Sequence, residues 1–397
     1  MMKHPTVAAI GAIMAGLLSL SLAQELTLDE RARRSTERWK TRGLAEDYEG
    51  IHTHDGLIAD LFSIHSTGVP TEPVRVAANS FLDALDAEQR SKTVFAVDDQ
   101  EWRVWMNRHL FFRQGVSLAE LDEQQREAAL GLLDNSLSAR GLELSFDVMN
   151  LNYTLGELSG NSFEEFNERL YWMTVMGEPS AGEPWGWQLD GHHLIINYFV
   201  LGDQVVMTPV FVGSEPVTAE TGKYAGTAIL QDEQDHALAF LRSLDETQRK
   251  EAVLKTSKDG VNNLTEAFKD NVVLDYAGVA VSSFSDEQKV QFSNLIALYV
   301  GNMDEGHARL KMEEVRDHFD ETYFAWIGGS DDDSVYYYRI HSPVILIEFD
   351  HQNPANLDHL YPPVPNRQHI HSVVRTPNGN DYGKDLLRQH YEEHPHQ

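Results

Sequence analysis

The sequence predicts an α+β fold with an internally duplicated, two-lobed body, in which each half has helices followed by an antiparallel β-hairpin sheet. Three pairs of similar segments occur in the same order, and the members of each pair lie roughly 150 to 165 residues apart. The pairs are 79–95 with 238–254, 113–133 with 276–296, and 166–179 with 319–332. No linker rich in Gly, Ser or Pro separates the halves, which favours one joined body over two independent domains.

The helices of both halves are predicted from a repeated capping pattern. An Asp or Ser is followed three residues later by Gln, so that the first side chain can accept from first-turn amides while Gln reaches back to the N-cap amide. The pairs are Asp86 and Gln89, Asp122 and Gln125, Asp245 and Gln248, and Ser285 and Gln288. A capping box alone is a common helix start, but its repetition supports the duplication.

Strand patterns follow the helices in each half. In residues 185–213, "WGWQLDGHHLIINYFVLGDQVVMTPVFVG", we predict three strands joined by turns at Asp190-Gly191 and Gly202-Asp203. In residues 334–352, "SVYYYRIHSPVILIEFDHQ", the pattern predicts a second hairpin with its turn at Ser342-Pro343.

The ends of the chain differ in composition from the two halves. Residues 1–23 carry a lysine, an apolar run and a small-x-small ending, which predicts a cleaved signal peptide; an uncleaved anchor helix is the alternative. Residues 24–73 form an N-terminal arm whose charged start we expect to be mobile. The halves then occupy 74–215 and 230–388, the second with a His-rich motif at its end, and 389–397 is a polar tail expected to be disordered.

Charge and cysteine content exclude several classes of function. The 397 residues include 62 acidic and 32 basic ones and no cysteine, and the formal charge is -30. Such a field repels phosphate backbones and anionic membranes, so we expect no nucleic-acid partner and no stable membrane insertion after cleavage. Thiol catalysis and zinc-thiolate sites are excluded. We expect a secreted or periplasmic protein acting on a small-molecule or extracellular substrate, with its oligomeric state left open.

A His-x-His pattern near the C-terminus is the first candidate for chemistry. If its segment is a strand, His369 and His371 project from one face, where a divalent metal could bridge them. Glu348, Asp350 or His351 could supply a third ligand. Two histidines and a carboxylate would suit iron(II), whereas three histidines and water would suit zinc or copper. The alternative is that the histidines line a solvated strand or donate to backbone carbonyls.

A second cluster surrounds the predicted hairpin turn of the first half. It contains Trp185, Trp187, His192 and His193, and His341 lies near the corresponding turn of the second half. A duplicated fold would bring His192 or His193, together with His341, towards the His-x-His pair. The alternative is that the tryptophans belong to the core and the histidines cap the turn.

The third candidate is the turn-rich segment "RTPNGNDYGKDLL", residues 375–387. Arg375, Asn380 and Asp381 could orient a carboxylate or a hydroxyl-bearing substrate as part of a catalytic site. Equally, Arg375 and Asp381 could pair with each other and fix the turn.

Together, "WGWQLDGHHLIINYFVLGDQVVMTPVFVGSEP" and "HIHSVVRTPNGNDYGKDLL" resemble the uncharacterised family DUF3500, over about residues 70–390. Members are often predicted to be exported, which agrees with the N-terminus, and the resemblance implies no catalytic residues. From the residues themselves we expect a metal-dependent hydrolase acting on a small or polymeric extracellular substrate. The alternatives are a non-catalytic binding protein that uses Trp185 and Trp187 as an aromatic platform, or a redox metalloenzyme that uses the same histidines.

Overall fold

The protein, in a computed structural model that describes residues 26–394, combines helices with one large mixed sheet. Ten α-helices lie within the described range, and the α+β class is confirmed. None of these helices has both the length and the apolarity that a membrane crossing requires. The predicted signal peptide at 1–23 and the last three residues of the predicted tail lie outside the described residues.

The regular elements of residues 26–394 are as follows. The helices are α1 (Leu28–Gly43), α2 (Glu72–Ala84), α3 (Ala87–Thr93), α4 (Glu123–Ser136), α5 (Ala139–Leu158), α6 (Gln231–Ser243), α7 (Glu246–Ala252), α8 (Asp286–Val300), α9 (Glu305–Asp317) and α10 (Lys384–Glu393). The strands are β1 (Val94–Phe95), β2 (Val116–Ser117), β3 (Tyr171–Met176), β4 (Trp185–Gly191), β5 (Leu194–Leu201), β6 (Gln204–Val206), β7 (Val210–Ser214), β8 (Val253–Lys255), β9 (Val279–Ala280), β10 (Tyr323–Gly328), β11 (Tyr336–His341), β12 (Leu346–His351) and β13 (Ile370–Arg375).

The strands of both halves of the chain form a single sheet. Its order is β1-β3-β4-β5-β7-β13-β12-β11-β10-β8, with β2, β6 and β9 attached to β3, β5 and β10. In the middle, β7 and β13 pair in antiparallel orientation and so join the two halves. At the edges, β1 runs parallel to β3 and β8 runs parallel to β10. The predicted halves therefore share one sheet.

All four predicted capping boxes are formed at the starts of α3, α4, α7 and α8. The capping glutamines have a second role, because their side chains bond in pairs. Gln89 bonds Gln125, and Gln248 bonds Gln288. Each pair ties two helix starts together, α3 to α4 and α7 to α8.

The first hairpin turn lies two residues later than predicted. Asp190 and Gly191 remain in β4, where they pair with Ile195 and Leu194 of β5, so His192 and His193 make the turn. The predicted third strand is divided into β6 and β7, and the break includes Pro209, which cannot donate to a strand ladder. The turns at Gly202-Asp203 and Ser342-Pro343 lie where they were predicted.

The arm and the tail are more regular than expected. The charged start of the arm forms α1, with a capping box between Thr27 and Glu30. Thr36 of α1 accepts the Phe112 amide at 2.7 Å, which fixes the helix to the body. At the other end, α10 continues to Glu393 and so includes residues that were assigned to the tail. The predictions of a mobile start to the arm and of a disordered tail missed these amphipathic helices.

The two faces of the sheet are covered differently. On β12, Ile347 and Phe349 point to the face packed by α6 and α8, which we call the helix face; there the Tyr338 hydroxyl donates to a backbone carbonyl of α6. Glu348 and Asp350 point to the opposite face, which we call the loop face; it is covered by irregular segments that include residues 256–276. His371 of β13 is the cross-strand neighbour of Asp350 and belongs to the loop face.

Candidate metal centre

Three histidines from two distant parts of the chain meet on the loop face. His193 comes from the β4–β5 turn, His369 directly precedes β13, and His371 is the second residue of β13. All three are buried, and one ligand atom from each lies within 4.8 Å of the other two. The backbone of His193 has φ 64°, a left-handed conformation that Gly or Asn adopts more readily. With this backbone conformation the His193 side chain lies against the other two histidines.

Gly213 of β7 allows the histidines to approach. It lies opposite His371 in the sheet, and its amide donates to the carbonyl of His193 at 2.8 Å. A Cβ atom at this position would lie 2.6 Å from the Ile370 carbonyl oxygen and 3.1 Å from Cδ2 of His371. Any larger residue at position 213 would therefore push β7 and β13 apart at the cluster.

The ring nitrogens of the three histidines converge at metal-ligand spacing. Nε2 of His371 lies 3.0 Å from Nε2 of His369 and 3.2 Å from Nε2 of His193. For comparison, two imidazole nitrogens on one tetrahedral zinc ion, each about 2.0 to 2.1 Å from it, lie about 3.3 Å apart. The cluster could therefore hold a metal ion with small movements of its side chains.

The other ring nitrogens fix the tautomers. Nδ1 of His369 lies 2.6 Å from the carbonyl oxygen of Asn353, and Nδ1 of His371 lies 2.8 Å from Oε1 of Glu266. A carbonyl or carboxylate oxygen only accepts, so each Nδ1 carries the proton and donates it. When neither ring carries a second proton, the two Nε2 atoms present lone pairs to each other at 3.0 Å. Two facing lone pairs repel, and a cation between them removes the repulsion.

The electrostatics of the cluster favour neutral rings at His193 and His369 and an ionised carboxylate at Glu266. Burial lowers the pKa of His193 and of His369 well below the usual value, and the neighbouring histidines lower both further. Burial acts to raise the pKa of Glu266, but His371 and the Asn263 hydrogen bond outweigh it, and the pKa is lowered. Neutral imidazoles with Nδ1 bound to a carboxylate or a carbonyl are the arrangement found around protein-bound metals.

A cavity lies near the cluster, and the imidazole ring of His192 stands between the two. The ring of His192 stacks on His193 with 4.0 Å between centroids, and its Nδ1 lies 2.8 Å from Oδ1 of Asn152. His192 also lines a cavity of about 360 Å³, together with His109 and Glu165. Nε2 of His109 lies 3.2 Å from Oε2 of Glu165, and the His109 ring lies 5.5 Å from that of His192. A second histidine and carboxylate pair thus stands beside the candidate metal centre.

The ligands predicted from β12 have other partners. Glu348 accepts from the amides of Leu264 and Thr265 and from the Tyr337 hydroxyl. Asp350 pairs with Lys258 at 2.8 Å. His351 points to the helix face, where Nε2 lies 2.8 Å from the Gln234 side chain. The structure does not bring these three residues into the histidine cluster.

The residues predicted to orient substrate lie inside the protein. Arg375 is fully buried and pairs with Asp270 at 3.0 Å and with Asp381 at 3.2 Å. Asp381 also accepts the Thr376 amide at 2.8 Å. Asn380 is buried beside the start of α10. The contacts correspond to the alternative interpretation, in which Arg375 and Asp381 fix the turn.

Three residues of the second predicted cluster, Trp185, Trp187 and His341, are packed inside the protein. Trp185 and Trp187 are fully buried, so they offer no surface platform for a ligand. The Trp187 ring stacks on Tyr198 on the helix face. The His341 ring lies 4.6 Å from that of Tyr276, away from the cluster. Only His193 of this set joins His369 and His371, and His192 stacks behind it.

Sequence reasoning missed Glu266, His109, Asn152 and Glu165. Glu266 occurs in "NNLTEAF", a segment without a recognisable motif, and it reaches His371 across 105 positions of the chain. His109 was one unpaired histidine among 18. The position of His193 at a hairpin turn in a duplicated pattern was the only signal that pointed to a third histidine.

Comparison with known proteins identifies one family. Residues 67–384 match the model of a family described as "Protein of unknown function (DUF3500)", which covers well over half of the chain. The resemblance seen in the two sequence motifs is thereby confirmed. No curated protein and no solved structure matches the chain.

Proposed function

The chain belongs to the DUF3500 family, whose function is unknown, and we propose that it is a metal-dependent hydrolase. In this proposal His193, His369 and His371 bind one divalent ion through their Nε2 atoms. The observation that carries it is the convergence of three buried imidazoles, two of which have Nδ1 fixed by Glu266 and by a backbone carbonyl. Structural clusters of neutral histidines gain nothing from facing lone pairs, whereas a metal centre requires them.

Zinc fits the donor set best. The cluster has three imidazoles and no carboxylate among its converging atoms. Iron(II) oxygenase sites use two histidines and a carboxylate, and copper(II) favours a tetragonal arrangement. Three histidines that leave one position open are typical of catalytic zinc. The bound ion would lower the pKa of a coordinated water to about 7 and supply hydroxide at neutral pH.

The cavity beside His192 is the proposed substrate site. Its volume of about 360 Å³ suits a small molecule or the end of a polymer. Burial lowers the pKa of His109, against the opposing effect of Glu165, so this ring can accept a proton near neutral pH. We propose that His109, oriented by Glu165, exchanges protons with the substrate. Arg113, which pairs with Asp190 at 3.0 Å, holds this wall in place.

Metal analysis tests the proposal. The purified protein is loaded with ZnCl₂ and desalted, and zinc is measured per chain for the natural sequence, for His369→Gln/His371→Gln and for the control His341→Gln. His341 is also a buried histidine but lies outside the cluster. We expect about one zinc per chain in the natural protein and the control, and loss of zinc in the double variant. Zinc-dependent hydrolysis of p-nitrophenyl acetate should follow the same order.

Two results would overturn the proposal. The first is an absence of bound metal in the natural protein together with unchanged stability after chelator treatment. The second is equal zinc content in the double variant and the natural protein. Iron or copper bound in place of zinc would replace the hydrolase by a redox enzyme.

We also infer that the chain arose by internal duplication and is exported. Support for duplication comes from the order of elements, since α2, α3, α4, α5 and β3 to β5 are followed by α6, α7, α8, α9 and β10 to β12 in the same sequence. Support for export comes from the pattern of residues 1–23. The histidine cluster then distinguishes the two copies, because the three histidines lie at only one end of the β7–β13 pair.

A further inference from the structure

We propose that a cavity on the helix face binds an uncharged, largely apolar small molecule of about ten carbon atoms. The cavity has a volume of about 270 Å³ and lies between β6, β13 and the helices α8 and α9. Val374 of β13 lines it, and this side chain points away from the loop face on which His371 lies. The site is therefore separate from the histidine cluster, and the proposal does not depend on the proposed hydrolase.

The size and lining of the cavity define the class of ligand. Its apolar lining includes Phe62, Val206, Met207, Val300, Leu310 and Val374. An apolar protein cavity of about 150 Å³ stays dry and binds benzene. A cavity of 270 Å³ is nearly twice that volume and so has room for about ten carbon atoms. Filling it with apolar atoms would restore dispersion contacts that its lining lacks when it is empty.

The charged groups of the lining are already paired. Nζ of Lys311 lies 2.7 Å from Oε2 of Glu314 and 2.8 Å from the Val344 carbonyl oxygen. Lys311 is therefore not free to bind an acidic head group. The formal charge of -30 on the whole chain also disfavours anions. An uncharged ligand is expected for both reasons.

Several neutral polar groups of the lining are paired as well. The hydroxyls of Thr208 and Thr376 bond each other at 2.7 Å. The Gln204 side chain accepts the His65 amide at 2.8 Å and donates to the Ser63 carbonyl at 3.0 Å. These contacts satisfy polar atoms within the protein, so the ligand need not carry matching polar groups.

The N-terminal arm closes the cavity. Leu61, Phe62 and Ser63 of the arm line it. The arm is held beyond that point by the carboxylate of Asp203, which accepts from the Ser66 hydroxyl at 2.6 Å and from the Gly68 amide at 2.9 Å. These contacts, like those of Gln204 with His65 and Ser63, are made by side chains and not by strand pairing, so the arm can open without unfolding the sheet. We expect a ligand to enter the cavity where the arm opens.

Calorimetric titration with 1-decanol and with decanoate tests the proposal. The two compounds share a ten-carbon chain and differ in charge. Leu310→Trp places an indole in the cavity from a partly exposed position of α9, and Leu298→Trp makes the same change on α8 outside the lining. We expect decanol to bind the natural protein and Leu298→Trp equally, and to bind Leu310→Trp at least tenfold more weakly. Decanoate should bind the natural protein at least tenfold more weakly than decanol.

A chain-length series gives a second measurement that needs no variant. Affinity should rise from hexanol to about decanol and then stop rising, because longer chains exceed the cavity. No detectable decanol binding, equal binding by Leu310→Trp, or affinity that rises steadily beyond dodecanol would overturn the proposal. Decanoate binding as tight as that of decanol would overturn the assignment of an uncharged ligand.

Discussion

The helix face and the loop face are formed by the same strands but differ in chemistry. On the helix face, aromatic rings such as those of Phe324, Tyr338 and Phe349 pack beneath helices. On the loop face, buried charges such as Glu348 and Arg375 stand at alternate positions. Helices satisfy their own backbone groups and need only an apolar surface, whereas a loop laid on a sheet leaves amides that require acceptors.

The loop face shows how that requirement is met. Glu348 accepts amides of Leu264 and Thr265, and Asp350 accepts the amide of Asn262. These contacts fix the same loop that carries Glu266 to His371. The buried carboxylates that were expected to bind metal thus position the loop that contacts a histidine of the candidate metal centre. We call these buried charges of the loop face and their partners the polar layer. The comparison of the two faces indicates that the polar layer supports the candidate site.

The largest effect is expected from breaking the charge network of the loop face. Arg375→Met leaves the buried carboxylate of Asp381 without its cation and leaves Asp270 paired with Arg103 alone. Loss of one partner in a buried ion pair typically destabilises a protein by about 3 to 5 kcal/mol. Arg388→Met is the control, because Arg388 pairs with Asp385 at the surface, and exposed pairs contribute about 0 to 1 kcal/mol. Urea unfolding of both variants measures the difference; similar losses would show that the polar layer is not needed for stability.

A second prediction concerns pH and a buried acid in the segment that covers the loop face. Burial raises the pKa of Glu101 to about 8, although Lys40 opposes the shift. The pKa of Glu101 is therefore higher in the folded protein than in the unfolded chain. The contribution of Glu101 to the free energy of unfolding is then complete below about pH 4.5 and is lost as pH rises towards 8. Glu101→Gln removes the titrating group and with it this loss of stability. Relative to the natural protein, the variant should gain up to a few kcal/mol between pH 5 and pH 8, because one pKa unit corresponds to about 1.4 kcal/mol.

The measurement is urea unfolding of both proteins at pH 5 and at pH 8. Other groups titrate in both proteins, so their effects cancel in the difference. A stability difference that is the same at both pH values would contradict the prediction, and so would one that falls as pH rises.

A third prediction compares neighbours on one strand. Glu348→Gln places an amide group where the carboxylate accepts several donors, and an unsatisfied buried polar group costs about 1 to 3 kcal/mol. Ile347→Val removes one methyl group on the helix face, which typically costs about 0.5 to 1.5 kcal/mol. The change in unfolding free energy should be larger for Glu348→Gln. If Ile347→Val costs more, the helix face rather than the polar layer limits stability at β12.

The fold and the site differ in how far sequence could predict them. Capping boxes and hairpin turns depend on residues within four positions of each other, and the predictions of Asp122 with Gln125 and of the Ser342-Pro343 turn were confirmed. The prediction of a mobile start to the arm overlooked the same local pattern at Thr27 and Glu30, whereas the attachment of α1 to the body depends on tertiary contacts such as that between Thr36 and Phe112. Local sequence patterns therefore predict individual helices and turns better than they predict which segments of the chain are ordered.

The candidate site shows a similar limit. Asp350 was a reasonable third ligand because it is the cross-strand neighbour of His371 on the loop face. Strand pairing cannot reveal that Lys258 and the Asn262 amide already occupy this carboxylate. Glu266 reaches the site from a loop, and its position depends on the whole polar layer. No local pattern encodes such a contact.

The smallest expected change is a loss of metal affinity without loss of fold. Glu266→Gln keeps an oxygen that accepts Nδ1–H of His371 but removes the negative charge that raises the basicity of the ring. Loss of such a partner typically weakens metal binding by about 10- to 100-fold. Glu165→Gln is the matched control, because Glu165 pairs with His109 at 3.2 Å, outside the three-histidine cluster. Competition with a chromophoric zinc chelator should show weaker binding only for Glu266→Gln, and equal weakening of both variants would mean that general charge, and not the contact with His371, determines affinity.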